Sequence, residues 1–175
     1  MSLKTQQIHE NPARRKTEDH ETILTLIRDR AKRHPNEPVM ERRREVGGWY
    51  RVSASRLVHE VDETARGLIG LGLKNGDAIA IMSSTRPEWT TLDLAALSVG
   101  IIVVPIYESD SVAQIEWISE NSNARLAICD THARAQLIEH ASTPSIKRIM
   151  SLESGAMRTI HEAANGVTDE ELQRR

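Results

Sequence analysis

Three hydroxyl side chains, Ser83, Ser84 and Thr85, form the part of the sequence that comes nearest to an anion-binding site. They lie between an apolar run at residues 78–82 and a helix start at Pro87, and backbone N–H groups at a helix N-terminus attract phosphates. A phosphate cradle also needs glycines, which let the backbone approach the anion, and often a nearby lysine. This run contains neither. The pattern therefore favours a helix cap over a phosphate site.

Other residues with chemical potential are scattered along the chain. Cys129 lies in an apolar run and is predicted to be a buried thiol, and the glycines at 67, 70 and 72 suit capping and packing at a helix exit. No Gly-x-Ser-x-Gly elbow is present. The sequence thus predicts no catalytic, cofactor-binding or metal-binding residue. The seven histidines show no zinc-site spacing: they are His9, His20, His34, His59, His132, His140 and His161.

Composition and charge exclude several classes of protein. Hydrophobic residues make up 39% and charged residues 27%, which is typical of a globular domain. The 23 Lys and Arg nearly balance the 25 Asp and Glu, so nucleic acid is not an expected partner. The basic run at residues 42–44, between Glu41 and Glu45, favours a solvated strand or hairpin face over a phosphate patch.

No signal peptide and no apolar stretch long enough to cross a bilayer is found. The sequence therefore predicts a cytoplasmic protein without a transmembrane segment, and it leaves peripheral membrane contact open.

The first part of the chain shows a polar lead-in followed by a helix and a hairpin. Residues 1–20 have no apolar period and are predicted to be flexible. Apolar spacing predicts a helix from Thr22 that stops at Pro35, because proline cannot continue it. A hairpin with its turn at Gly47 and Gly48 should follow.

The strongest helix signal follows the hairpin. Ser53 or Ser55 can cap this helix, and Gly70 and Gly72 would supply a left-handed exit. Strands and helices then alternate, which predicts an α/β fold with a largely parallel sheet flanked by helices. The predicted strands lie at 78–82, 101–104 (ending at Pro105), 125–129 and 146–152, and the predicted helices near 87–99, 112–118, 133–140 and 156–164. Thr168 and Glu171 are spaced as a further capping box.

Three stretches together resemble the adenylate-forming acyl-CoA synthetases, and among them the bacterial long-chain fatty-acid–CoA ligases. Residues 48–57 are similar to the family's entry into its first long helix. Residues 70–89 resemble its Leu-Gly-x-x-x-Gly-Asp, strand, Arg-Pro-Glu-Trp arrangement, and residues 95–107 its helix-Gly-strand-Pro-x-Tyr segment. The shared residues are interpreted as mainly structural: Gly76 in a turn, Gly100 at a helix end, and Trp89 and Tyr107 in packing.

The resemblance implies a two-step reaction with ATP, Mg²⁺ and CoA as cofactors and a fatty acid as substrate. It also implies that residues 21–152 are the N-terminal α/β part of an AMP-binding domain, an incomplete subdomain, followed by a charged, partly helical tail at 153–175 that ends before the phosphate loop. The family's phosphate loop, acidic metal ligand, ribose-binding residues and late catalytic lysine have no match here, so the chain is expected to be inactive alone.

Three interpretations of the chain stay open at this stage. The first is a piece of a full ligase that helps shape its acyl and nucleotide cleft. The second is a non-catalytic dimerisation or interaction module that pairs with a full-length ligase, as a homodimer or with the missing part of the synthetase. The third is a chain with no activity of its own.

Overall fold

The computed structural model describes residues 16–44, 46–141 and 143–175. Most of the predicted lead-in therefore lies outside the described residues, and residues 16–20 contain no helix or strand. The helices are α1 Ile23–Arg33, α2 Ala54–Gly70, α3 Pro87–Ser98, α4 Val112–Ser122, α5 His132–His140, α6 Ala156–Ala163 and α7 Asp169–Gln173, with a 3-10 turn at Ala164–Gly166. The strands are β1 Pro38–Arg43, β2 Trp49–Ser53, β3 Ala78–Met82, β4 Ile102–Ile106, β5 Ala124–Cys129 and β6 Arg148–Ser151.

The predicted first helix and hairpin are confirmed. Thr22 caps α1 by accepting a hydrogen bond from the N–H of Thr25, whose own hydroxyl accepts one from Thr22 N–H. Strands β1 and β2 pair antiparallel, with Arg42 opposite Tyr50 and Arg43 opposite Trp49. The two side chains of each opposite pair therefore lie on the same face of the hairpin.

Helix α2 is capped by the first of the two predicted serines, since the N–H of Arg56 donates to Ser53 Oγ. The predicted left-handed exit at Gly70 is wrong, whereas its predicted packing role is confirmed. Gly72 alone takes the left-handed conformation after the helix, with φ of +90°, whereas Gly70 is the last helical residue. A Cβ on Gly70 would stand 1.9 Å from the carbonyl oxygen of Ala163, so this glycine allows close helix packing.

The second sheet is parallel throughout its four strands, in the order β4-β3-β5-β6, which confirms the predicted fold class. Every residue of β3 is buried, as expected for a central parallel strand. The prediction that Pro105 ends its strand is wrong, because β4 continues to Ile106. Strand β4 lies at the sheet edge, where a residue without an N–H is tolerated.

Helices cover both faces of this sheet. Helices α2, α3 and α6 pack on the face that carries Ile79, Ile81 and Ile128, while α4 and α5 pack on the face that carries Ala80 and Cys129. Helix α3 follows β3 and α5 follows β5, so the chain leaves these neighbouring strands toward opposite faces. The sheet is therefore doubly wound, and the carboxyl ends of β3 and β5 flank the point where the winding direction changes.

The last segment of the chain packs against the rest. Ile160 of α6 is completely buried and belongs to the same apolar cluster as α2. Thr168 Oγ1 accepts a hydrogen bond from the N–H of Glu171 at the start of α7, which is one of the two bonds of the predicted capping box. The division of the chain at residue 152 remains a prediction. Within the described ranges, no helix is both long and apolar enough to span a membrane.

Candidate functional site

An open cleft of about 520 Å³ lies at the carboxyl ends of β3 and β4. Its walls come from the loop after β3, the first turn of α3 and the end of β4. The loop and helix contribute polar atoms, while the end of β4 contributes mainly apolar surface. The lining residues are Ser83, Thr85, Arg86, Trp89, Thr90, Pro105, Ile106, Tyr107 and Glu108.

The two aromatic residues of the cleft differ in burial. Trp89 is half-buried and packs against the core cluster, in agreement with its predicted packing role. The prediction that Tyr107 packs is wrong, since 73% of this residue is exposed. Tyr107 comes directly after the edge strand β4, so no neighbouring strand covers it. Both rings line the same cleft.

The carboxylate of Asp130 holds the loop after β3 in place. Asp130 directly follows β5 and is only 3% exposed. Its Oδ2 accepts hydrogen bonds from the Ser84 N–H at 3.0 Å and from Ser84 Oγ at 2.8 Å. The predicted helix cap at residues 83–85 is therefore wrong. The N-cap of α3 is Arg86, whose side chain has no oxygen to accept a capping bond, and Ser84 is bound to Asp130 instead.

Arg134 extends this network to the cleft. Its guanidinium donates to Oδ2 of Asp130 and to Oε2 of Glu108, which lines the cleft. Burial alone would raise the pKa of Asp130, but the hydrogen bonds from Ser84 and Arg134 outweigh it and hold this pKa below its ordinary value. Asp130 is therefore ionised at neutral pH, and a single carboxylate connects the ends of β3, β4 and β5.

The second oxygen of this carboxylate, Asp130 Oδ1, is buried and has no hydrogen-bond partner among the described residues. Asp130 and Ser84 lie at the carboxyl ends of adjacent strands where the winding direction changes. Crevices at this point of open α/β sheets are where ligands bind. The site therefore combines a rigid ionic rim with a largely apolar opening.

The chemistry available to these side chains is binding and positioning. Cys129, next to Asp130, is fully buried, and burial raises the pKa of its thiol to about 12, so it is a poor nucleophile at neutral pH. Within the described ranges, no group of three His, Cys, Asp or Glu side chains could hold a metal ion.

The network of Asp130, Arg134 and Glu108 was missed from the sequence. One signal was available: an aspartate directly after a buried strand, with an arginine four residues later at a helix start, can form a local ion pair. The contacts with Ser84 and Glu108 join residues 46 and 26 positions apart, and no local pattern predicts such pairs.

Several known proteins are similar to this chain in sequence or in fold. The long-chain-fatty-acid–CoA ligase FadD15 of Mycobacterium bovis is 29% identical over 159 residues, which cover 88% of this chain and 26% of that protein. An uncharacterized protein of Mycobacterium tuberculosis is 27% identical over 124 residues, covering 70% of this chain and 71% of its own length. The crystal structure of VinN shares the fold, with a TM-score of 0.70 at 16% identity over 83% of this chain and 35% of VinN.

The chain spans about a quarter of the length of the FadD15 proteins that it matches. The family of AMP-binding enzymes matches residues 27–173, which include both the Asp130 network and the cleft. The match extends through α7, and the fold is also shared with a structure described as Mycobacterium tuberculosis fatty acyl CoA synthetase, with a TM-score of 0.66 at 19% identity over 78% of this chain and 28% of that one. On this evidence the chain belongs to the AMP-binding enzyme family.

Proposed function

We propose that this chain is the N-terminal portion of an ATP-dependent long-chain fatty-acid–CoA ligase. The proposal rests on the similarity to FadD15, which covers 88% of this chain but only 26% of that ligase. In such a ligase a fatty carboxylate attacks the α-phosphorus of ATP, giving acyl-adenylate and pyrophosphate. The CoA thiol then attacks the acyl carbon, and AMP leaves.

The role proposed for the described residues is to build one wall of the substrate cleft. Trp89, Pro105 and Tyr107 offer apolar surface suited to the aliphatic part of a substrate. Arg134 is bound to both Asp130 and Glu108, so its proposed role is to hold the ends of β4 and β5 in one geometry rather than to contact the substrate. Rigid supports of this kind keep a binding site near its productive geometry.

ATP and Mg²⁺ are proposed to bind to parts of the ligase outside this chain. Residues 83–85 contain neither glycine nor lysine, and the loop they form is held by Asp130 rather than open to a phosphate. The described residues also offer no cluster of three metal ligands. When bound, ATP with Mg²⁺ supplies the leaving group and the positive charge that stabilises it.

The test is fatty-acid-dependent exchange of pyrophosphate into ATP by the purified chain, with full-length FadD15 as the positive control. The expected result is no exchange above background by the chain and rapid exchange by FadD15. Exchange by the chain alone would place a complete adenylation site within residues 1–175 and would refute this assignment.

A second proposal is a non-catalytic module that pairs with a ligase or with a second copy. It is favoured by the open edge of the sheet: Ile102 of β4 is 54% exposed and Trp117 of α4 is 66% exposed, and an unpaired edge strand invites strand addition. Light scattering of the chain alone and mixed with FadD15 tests it. A monomer that stays separate from FadD15 would exclude this role.

A further inference from the structure

The β1–β2 hairpin carries exposed apolar residues at its tip. Val46 is 95% exposed and Trp49 is 64% exposed, and both lie within four residues of the turn at Gly47 and Gly48. Partial burial of a large aromatic side chain that is exposed to water is favourable in free energy. Tryptophan in particular favours the boundary between a membrane and water.

Arginines surround this tip on both faces of the hairpin. Arg43 lies directly opposite Trp49 in the strand register, so the two side chains share the outer face. Arg44 lies over the ring of Tyr50, with its guanidinium carbon 5.4 Å from the ring centroid. Over residues 41–51 four Arg and two Glu give 4 − 2 = +2 net charge, although the whole chain carries −2.

The hairpin forms one side of a basic depression of about 660 Å³. Arg42 is fixed there by Glu60 at 2.5 Å, and Arg86 by Glu88 at 2.8 Å. Among the described residues, no carboxylate pairs with Arg43 or Arg44, which leaves their charge available to an outside anion. The lining residues are Arg42, Arg43, Arg44, Tyr50, Ser84, Arg86, Pro87 and Glu88.

We propose that this hairpin docks the protein on a membrane surface that contains acidic phospholipids. Trp49 and Val46 enter the headgroup region, Arg43 and Arg44 contact lipid phosphates, and the basic depression accepts one headgroup phosphate. Guanidinium groups bind phosphate oxygens through paired hydrogen bonds, and basic residues beside exposed apolar side chains are typical of interfacial attachment. The sequence favoured a solvated face for residues 42–44, but only the fold shows that Arg86 joins them.

The proposal is independent of ligase activity, and its test measures vesicle binding directly. The 175-residue chain is floated with vesicles of phosphatidylcholine alone or of phosphatidylcholine mixed with phosphatidylglycerol. We expect binding to the mixed vesicles only. Each arginine near an anionic surface contributes about fivefold in affinity, so R43Q/R44Q should weaken binding roughly 25-fold. Brominated lipids should quench the fluorescence of the chain, and W49F should lose most of that quenching.

The matched control is K147Q/R148Q, which removes the same charge from two adjacent exposed residues at the amino end of β6, the end of the sheet opposite to Ser84. It should change binding by less than about twofold, because distant charges are screened. Equal losses in both double variants would overturn the proposal by showing a diffuse charge effect. A thermal shift with inorganic phosphate that disappears in R43Q/R44Q, without binding to any vesicle, would also overturn it and would assign the depression to a soluble phosphate.

Discussion

Replacing Gly67 with alanine separates helix propensity from tertiary packing, because the two effects have opposite signs at this position. In an isolated helix, glycine to alanine stabilises by about 0.5–1 kcal/mol. In the folded chain a Cβ on Gly67 would lie 2.1 Å from the carbonyl oxygen of Ile160 and 2.5 Å from its Cγ2. The carbonyl belongs to the backbone of α6, so it cannot move aside as a side-chain end would.

The size of the effect follows from the gap that must open between α2 and α6. Ordinary contact begins at 3.4 Å, so the carbonyl must retreat by 3.4 − 2.1 = 1.3 Å, which displaces the fully buried Ile160 from its packed position. Overpacking of this kind costs about 1–3 kcal/mol. Because the clash is with backbone, we expect the upper part of this range, about 2–3 kcal/mol. Less the gain of about 1 kcal/mol in helix propensity, G67A should lose roughly 1–2 kcal/mol of unfolding free energy.

Urea unfolding followed by circular dichroism measures this loss, and the melting temperature should fall by roughly 2–8 °C. The control is G166A: a Cβ there meets no atom within 4 Å, so its unfolding free energy should stay within about 0.5 kcal/mol of the parent. A G67A chain as stable as the parent would refute the close packing of α2 on α6.

Three further results are expected from the site and the core. D130N should lose about 1–3 kcal/mol of unfolding free energy at pH 7. Because the pKa of Asp130 is lowered in the folded state, this deficit should shrink as the pH falls below about 4. Urea titrations at several pH values will measure it. The Cys129 thiol, with its pKa raised to about 12, should react with iodoacetamide only in denaturant, as mass spectrometry will show. I128A should cost about 2–5 kcal/mol while Y107A stays within about 0.5 kcal/mol, and equal losses in thermal unfolding would contradict the assigned burial.

The secondary structure of this chain follows largely from local signals. The five apolar residues of β3 between turn residues predicted a fully buried strand, and the structure buries all five. Pro87 marked the first turn of α3. These predictions succeed because the spacing of apolar residues and the position of a proline determine the backbone conformation within a few residues.

The errors arise where a distant contact overrides a local preference. Ser84 had the position of a helix cap but is bound by Asp130, 46 residues away. Gly70 had the position of a helix exit but serves the contact with Ala163, 93 positions further along. Pro105 had the position of a strand end but lies within the edge strand β4. In each case the deciding partner or sheet position is known only once the chain is folded.

A domain graft can show whether this chain is able to serve as the N-terminal portion of a fatty-acid–CoA ligase. The region of FadD15 that aligns with this chain is replaced by residues 16–175, and ATP-dependent formation of long-chain acyl-CoA is measured beside the thermal unfolding of the graft. If this chain is the equivalent portion of a fatty-acid–CoA ligase, the graft folds and forms acyl-CoA from long-chain fatty acids. A graft that unfolds cooperatively like FadD15 but forms no acyl-CoA would show that this chain is not the equivalent portion of such a ligase.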